Sequence, residues 1–218
     1  MTETRRPIAT RSAGWAQDLA KRLSQGSITP NQISQASVLF AALAGVAFWA
    51  SGLTDGILRA TLLILAALGC QLRLICNLLD GMVAVEGGKS APDGPFWNEA
   101  PDRFADILIL AGLGLAAHQP TLGFAAATFA VLTAYIREMG RAESAGSDFS
   151  GPMAKPQRMA TATVAAIAAI IEQYLSGTAY TLILALWIIT LGALFTGLRR
   201  SRKLLAYLNN REASGGDM

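Results

Sequence analysis

A chain of 218 residues with 52% hydrophobic residues, only 15% charged residues and a mean hydropathy of +0.39 is too apolar for an ordinary soluble domain of that length. The net charge of +3 calls for no nucleic-acid partner, because basic residues beside membrane spans serve orientation and contact with anionic lipid. The composition therefore indicates one integral membrane domain.

The N-terminal MTETRRPIATRSAG is polar and lacks the early apolar run and small-residue cleavage site of a secretory signal, so no cleavage is expected. Within the cytoplasmic segment 1–27, residues 13–24 place Trp15, Leu19 and Leu23 at i, i+4, i+8, with Gln17, Asp18, Lys21 and Arg22 mostly elsewhere. That pattern predicts an amphipathic helix lying in the membrane interface. Thr29-Pro30-Asn31-Gln32 follows, with a capping threonine, a proline suited to the first helical position and a glutamine completing a capping box. A structural cap explains the motif, and Asn31 could also touch a ligand.

Apolar blocks near 35–54, 57–79, 103–118, 121–139, 159–176 and 179–198 each approach the roughly 20 residues needed to cross a hydrocarbon core. The expectation is an all-α integral membrane protein with six transmembrane helices in a domain over 28–208, preceded by the interfacial helix and followed by a disordered tail over 209–218. Arg5, Arg6, Arg11, Lys21, Arg22, Lys89, Arg103, Arg137, Arg141, Lys155, Arg158, Arg199, Arg200, Arg202, Lys203 and Arg211 fall on one side of these spans and Arg59 on the other. By the positive-inside rule both termini and the long polar segments 80–102 and 140–158 are cytoplasmic. Cys70 and Cys76 share one helix, roughly 9 Å apart along its axis, too far for a disulfide.

In the second span Arg73, Asn77, Asp80 and Ala84 recur at i, i+4, i+7, i+11 and share one face. Ionisable residues within a span are costly and face a cavity or a partner, which makes this stripe a site candidate. A helix end entering water would account for Asp80 but poorly for Arg73 and Asn77. At the start of the third span Asn98, Asp102 and Asp106 again share a face, at i, i+4, i+8. Two helices presenting oxygen ligands to one space can hold a hard cation such as Mg²⁺; alternatively, acidic residues there complement the helix dipole.

Residues 77–102 resemble the CDP-alcohol phosphotransferase signature D-x2-D-G-x2-A-R-x8-G-x3-D-x3-D. Without gaps it reads Asn77, Asp80, Gly81, Ala84, Val85, Gly94, Asn98 and Asp102. TPNQIS at 29–34 is also similar to the segment before the first span in that family, so the resemblance covers nearly the whole chain. Asn77 and Asn98 stand where the family has aspartates, and Val85 where it has arginine. The resemblance implies a divalent metal, Mg²⁺ or Mn²⁺, held among Asn77, Asp80, Asn98 and Asp102. Asp106 is a replacement ligand one turn on, and Glu86 and Glu99 are candidates nearer solvent. Loss of two negative charges weakens such a site. Arg73 either stands in for the missing arginine or neutralises Asp80.

The resemblance further implies a CDP-linked lipid donor, attack by an acceptor alcohol with release of CMP, and Asp102 as the base. Gly81, Ala84 and Gly94 are small where a nucleotide and diphosphate must approach the backbone; tight helix packing is the alternative reason. Arg137, Arg141, Lys155 and Arg158 in the second long segment either bind an acceptor phosphate or lipid head group or reflect topology alone. The resemblance also implies a homodimer in the cytoplasmic (inner) membrane, active in phospholipid synthesis. A relative that binds lipid or nucleotide without turnover is the competing reading. A small transporter is disfavoured, because the polar groups cluster at one boundary and no inverted repeat is present. His118 and Glu172 read as outer-boundary residues without a catalytic role.

Overall fold

The structure is a computed structural model and describes residues 13–215 except 86, 90, 178 and 179. Arg5, Arg6, Arg11 and Glu86 lie outside the described residues. The described residues form helices α1 (Gly14–Gln25), α2 (Pro30–Ser51), α3 (Gly56–Val85), α4 (Gly94–Ala116), α5 (Pro120–Ala142), α6 (Lys155–Leu175) and α7 (Tyr180–Gly215), with no strand among them.

Local chemistry sets the helix starts. The capping box at α2 forms as expected: the Gln32 amide donates to Thr29 Oγ1 at 3.2 Å and the Thr29 amide to Gln32 Oε1 at 3.0 Å. A proline opens each of α4, α5 and α6, where its missing N–H costs no helical bond. The turn between α4 and α5 places His118 in the left-handed region, φ 53°, and fully outside the core, in keeping with its reading as a surface residue.

Helix α2 packs between α3 and α4, α3 also meets α6, and α5 packs on α4 and α7. Small residues permit this. A Cβ on Gly112 would lie 2.2 Å from the Gly45 carbonyl oxygen, so only glycine lets α2 and α4 approach this closely. The core is rich in alanine, with Phe48, Leu63, Ile109, Leu113, Leu186 and Ile189 filling the larger spaces. Outside, Leu39, Leu43 and Val46 on α2 and Leu184, Ile188, Leu191 and Phe195 on α7 stand exposed. Apolar faces of that extent belong against lipid tails.

Among the described residues four helices are long and apolar enough to cross a membrane: Pro30–Ser51, Gly56–Val85, Pro120–Ala142 and Tyr180–Arg211. Against the expected six, α4 and α6 have the length, at 23 and 21 residues, but not the composition. Helix α4 carries Glu99, Asp102, Arg103 and Asp106 between positions 99 and 106, and α6 is alanine-rich.

Two expectations are refined. A helix forms over Gly14–Gln25, where the interfacial helix is expected; Ala16 and Ala20 are its buried residues, clustered with Met82 and Val83 of α3, while Trp15 and Leu19 are exposed. The tail beyond Leu208 is helical to Gly215: Tyr207 donates to the Ser144 carbonyl at 3.1 Å and Arg211 to that of Glu143 at 3.2 Å, anchoring α7 to the α5–α6 connection. Composition near the chain end carried no sign of these long-range contacts.

Candidate functional site

A cavity of about 880 Å³ opens among α1 to α7 at the end where α3 finishes and α4 and α6 begin. The stripes read from the sequence meet here. Asn77, Asp80, Gly81 and Ala84 from α3 face Gly94, Asn98 and Asp102 from α4 across it. Lys155 and Arg158 enter from the first turn of α6, and Arg137 from α5. Gly94 heads α4, where a Cβ would meet nothing within 4 Å and would project into open space.

Asp102 is the hub. Its Oδ1 accepts from Arg73 Nη2 and from Asn77 Nδ2, each at 3.1 Å, and its Oδ2 accepts from Lys155 Nζ. The same ammonium reaches Asn77 Oδ1, so Lys155 bridges the amide of α3 and the carboxylate of α4. Asp80 is turned toward α2: Ser34 donates to its Oδ2 at 2.7 Å and the Gly81 amide to its Oδ1 at 2.6 Å. Asp106 lies one turn deeper than Asp102, wholly buried and outside the cavity lining, with Arg158 Nη2 on its Oδ2 at 2.5 Å and Arg73 Nη2 at 3.7 Å from its Oδ1. Arg73 and Arg158 are themselves buried, and among the described residues Arg73 Nε and Nη1 and Arg158 Nε have no hydrogen-bond acceptor.

Arg73 forms ion pairs to Asp102 and Asp106 on the neighbouring helix, and among the described residues none to Asp80. Asn98 stands at the rim, its amide on Glu99 at 3.3 Å. Glu99 is taken up by Arg103 and Arg137, and Glu138 by Arg137 and Arg141. Arg137 also lies over the Phe149 ring, 5.3 Å from its centroid.

Sequence reasoning left Ser34, Asp93 and Trp97 unassigned. Asp93 accepts from Asn31 Nδ2 at 3.0 Å and from Trp97 Nε1 at 3.0 Å, joining the start of α2 to the start of α4 at the cavity mouth. The Asn31 hydrogen bond, with help from Trp97, holds the Asp93 carboxyl below its usual range. With its carboxylate so engaged, Asp93 makes no side-chain cap to α4. A signal for Ser34 existed, since Asn31 and Ser34 share a face at i, i+3; nothing local tied Asp93 to a residue 62 positions earlier. On the far side of the cavity desolvation pulls the Asp148 carboxyl up, but hydrogen bonds from Ser150 and Lys203 outweigh it and hold the group below its ordinary value.

Do these residues suit a divalent ion? Among the described residues no three His, Cys, Asp or Glu side chains are placed to hold one together. Both oxygens of Asp102 and both of Asp80 already accept hydrogen bonds within the chain, and Asp106 is sealed away by guanidinium groups. The donor set as arranged does not fit a resident metal. Instead the described residues lining the cavity include seven basic side chains against four acidic ones, an excess that attracts an anion.

No family model matches the sequence. No curated protein matches it either. In three dimensions the chain is similar to phosphatidylinositol phosphate synthase (PgsA1) of Mycobacterium tuberculosis. Against that protein with CDP-DAG bound the TM-score is 0.67 at 18% identity, covering 87% of this chain and 92% of the other. Against its complex with manganese and citrate the TM-score is 0.71 at 16% identity, covering 87% and 88%. Against its apo form the TM-score is 0.67 at 16% identity, covering 86% and 95%. These neighbours belong to the CDP-alcohol phosphotransferase family, the family that residues 77–102 resemble, and the likeness establishes a shared fold.

Proposed function

We propose that this fold, shared with a synthase whose structure holds CDP-DAG, serves here as a membrane phosphotransferase that moves a phosphoalcohol group, phosphatidyl in the first instance, from a CDP-linked donor to an acceptor alcohol. The observation that carries the reading is Asp102, a buried carboxylate at the floor of a net-basic cavity, contributed at the last position of the signature. The cavity is large enough for a nucleotide diphosphate, and its place at the ends of long apolar helices leaves the donor's acyl chains in lipid.

The side chains suggest an order of events. The donor's diphosphate enters among Lys155, Arg137 and Arg141 and draws the Lys155 ammonium from Asp102 Oδ2. That oxygen then accepts the proton of the acceptor hydroxyl, the hydroxyl oxygen attacks the lipid-bearing phosphorus, and the bond from that phosphorus to the CMP oxygen breaks. Arg73 keeps Oδ1 fixed throughout and holds Asp102 ionised until it is needed. Gly81, Ala84 and Gly94 leave room for the nucleotide against the backbone. A cytoplasmic-facing site in the inner membrane, with both termini on that side, and a homodimeric assembly belong to the same proposal.

A second reading has its own support. Asn77, Asn98 and Val85 depart from the signature, and both oxygens of Asp102 are engaged, which suits a relative that binds the donor without turning it over. Purified protein is incubated with CDP-diacylglycerol and a panel of acceptor alcohols, with Mg²⁺ or Mn²⁺ in one arm and chelator in the other, and CMP is measured. Release that depends on one acceptor and disappears in Asp102→Asn supports the transferase. Donor binding with no release from any acceptor supports the second reading.

A further inference from the structure

We infer that Lys155 is a tethered cation that takes the part of a divalent ion in this site, so that a CDP-linked donor binds through its diphosphate without metal. The inference rests on the reading of the cavity as a CDP-donor site. It goes beyond that reading by assigning the counter-charge for the diphosphate to the chain itself.

Three carboxylates, Asp80, Asp102 and Asp106, are buried at the meeting of α3 and α4, and three cations, Arg73, Lys155 and Arg158, stand against the latter two. The group is neutral as it stands. Aspartates at 77 and 98, as the signature has them, would add two negative charges, the charge that one divalent ion cancels. With asparagine at both positions, a divalent ion entering the resting site would leave two positive charges uncompensated in a low-dielectric place. The neutral Asn77 amide suits an ammonium group better than a metal here: its oxygen accepts from Lys155 while its nitrogen donates to Asp102 Oδ1.

Lys155 is also built to move. It is the first residue of α6, its side chain is 19% exposed whereas those of Arg73 and Arg158 are 0% and 2%, and an ammonium on a four-carbon stem can turn from a carboxylate to a phosphate without moving the helix. Arg73 remains on Asp102 Oδ1 when Lys155 turns away, so the carboxylate is not left unpaired.

The test is binding, measured on the full chain in detergent micelles with CDP-diacylglycerol as the probe, in excess EDTA and in excess Mg²⁺. The expected result is a Kd equal in the two buffers within about twofold, raised about tenfold or more by Lys155→Met and largely kept by Lys155→Arg, as loss of one charged hydrogen-bond donor implies. Electron paramagnetic resonance of added Mn²⁺ should show only the free aqueous ion with the ligand-free wild type, and a bound ion in the double variant Asn77→Asp/Asn98→Asp. Wild-type binding that EDTA weakens tenfold, or a stoichiometric Mn²⁺ on the ligand-free wild type, overturns the inference and leaves the CDP-donor reading intact. Absence of binding in both buffers overturns the two together. The wild-type comparison stands even where Lys155→Met fails to fold.

Discussion

Asp106→Asn is the substitution that decides whether the deepest carboxylate is a structural counter-ion or a ligand. Asp106 is fully buried, and Arg158, whose side chain is 2% exposed, has no other acidic partner among the ion pairs of the described residues. Arg158 Nη1 keeps the Met153 carbonyl at 2.9 Å, but its charge is left uncompensated when the carboxylate becomes an amide. Breaking a buried pair from one side costs about 3–5 kcal/mol. Because the amide retains one acceptor oxygen and Arg73 retains Asp102, about 3 kcal/mol is expected. At roughly 2–4 °C per kcal/mol for a chain of this size, the midpoint in a thermal scan of the detergent-solubilised protein should fall by about 6–12 °C. Arg158→Met alone should cost a similar amount, and the double variant should recover at least half of the summed loss, since removing both charges leaves neither partner stranded. A fall under about 1 kcal/mol in Asp106→Asn, or strict additivity in the double variant, would refute the counter-ion role. A metal ligand would behave differently, leaving the ligand-free midpoint unchanged and weakening Mn²⁺ binding.

Three further outcomes follow from single contacts. Gly112→Ala places a methyl 2.2 Å from the Gly45 carbonyl oxygen, so α2 and α4 must separate; a loss of about 1–3 kcal/mol in thermal or denaturant unfolding is expected, and an unchanged midpoint would show that the helices are not so closely apposed. Thr29→Ala removes the acceptor for the Gln32 amide at the head of α2 and should cost about 1 kcal/mol, with Thr29→Ser restoring most of it. Asp93 has its carboxyl held below the ordinary value of about 3.9, so the Asn31–Asp93 link contributes above that ordinary value and is lost as pH falls through the lower folded value. An indole N–H resonance of Trp97 followed through acid titration should move at a pH below about 3.9, and Asn31→Ala should raise that midpoint. A midpoint indifferent to Asn31 would remove the link from the account.

Much of this arrangement was legible in the chain. The face shared by Arg73, Asn77, Asp80 and Ala84 is a matter of helical period, and so is that of Asn98, Asp102 and Asp106; the structure brings the upper members of both onto one cavity. The capping box at Thr29 is local and formed as read. What period cannot carry is which residue of one helix answers which of another. Arg73 turned to Asp102, 29 residues on, and Lys155 to the same carboxylate from 53 residues away. Asp106, one turn from Asp102 and equal to it as a ligand by spacing, lies below the cavity floor because Arg158 and Arg73 close over it.

The departures from the signature take on a meaning only when those partners are known. On spacing alone, Asn77 and Asn98 read as damage to a metal site, two charges lost from four. With Lys155 lodged between Asn77 and Asp102, and Arg73 and Arg158 behind it, the same two amides make the group electrically neutral without an ion. An aspartate at 77 beside Asp102 would bind Lys155 more tightly and hold it away from any incoming phosphate. The amide holds it by a neutral oxygen, the weaker of the two attachments, and so leaves the ammonium free to exchange one anion for another.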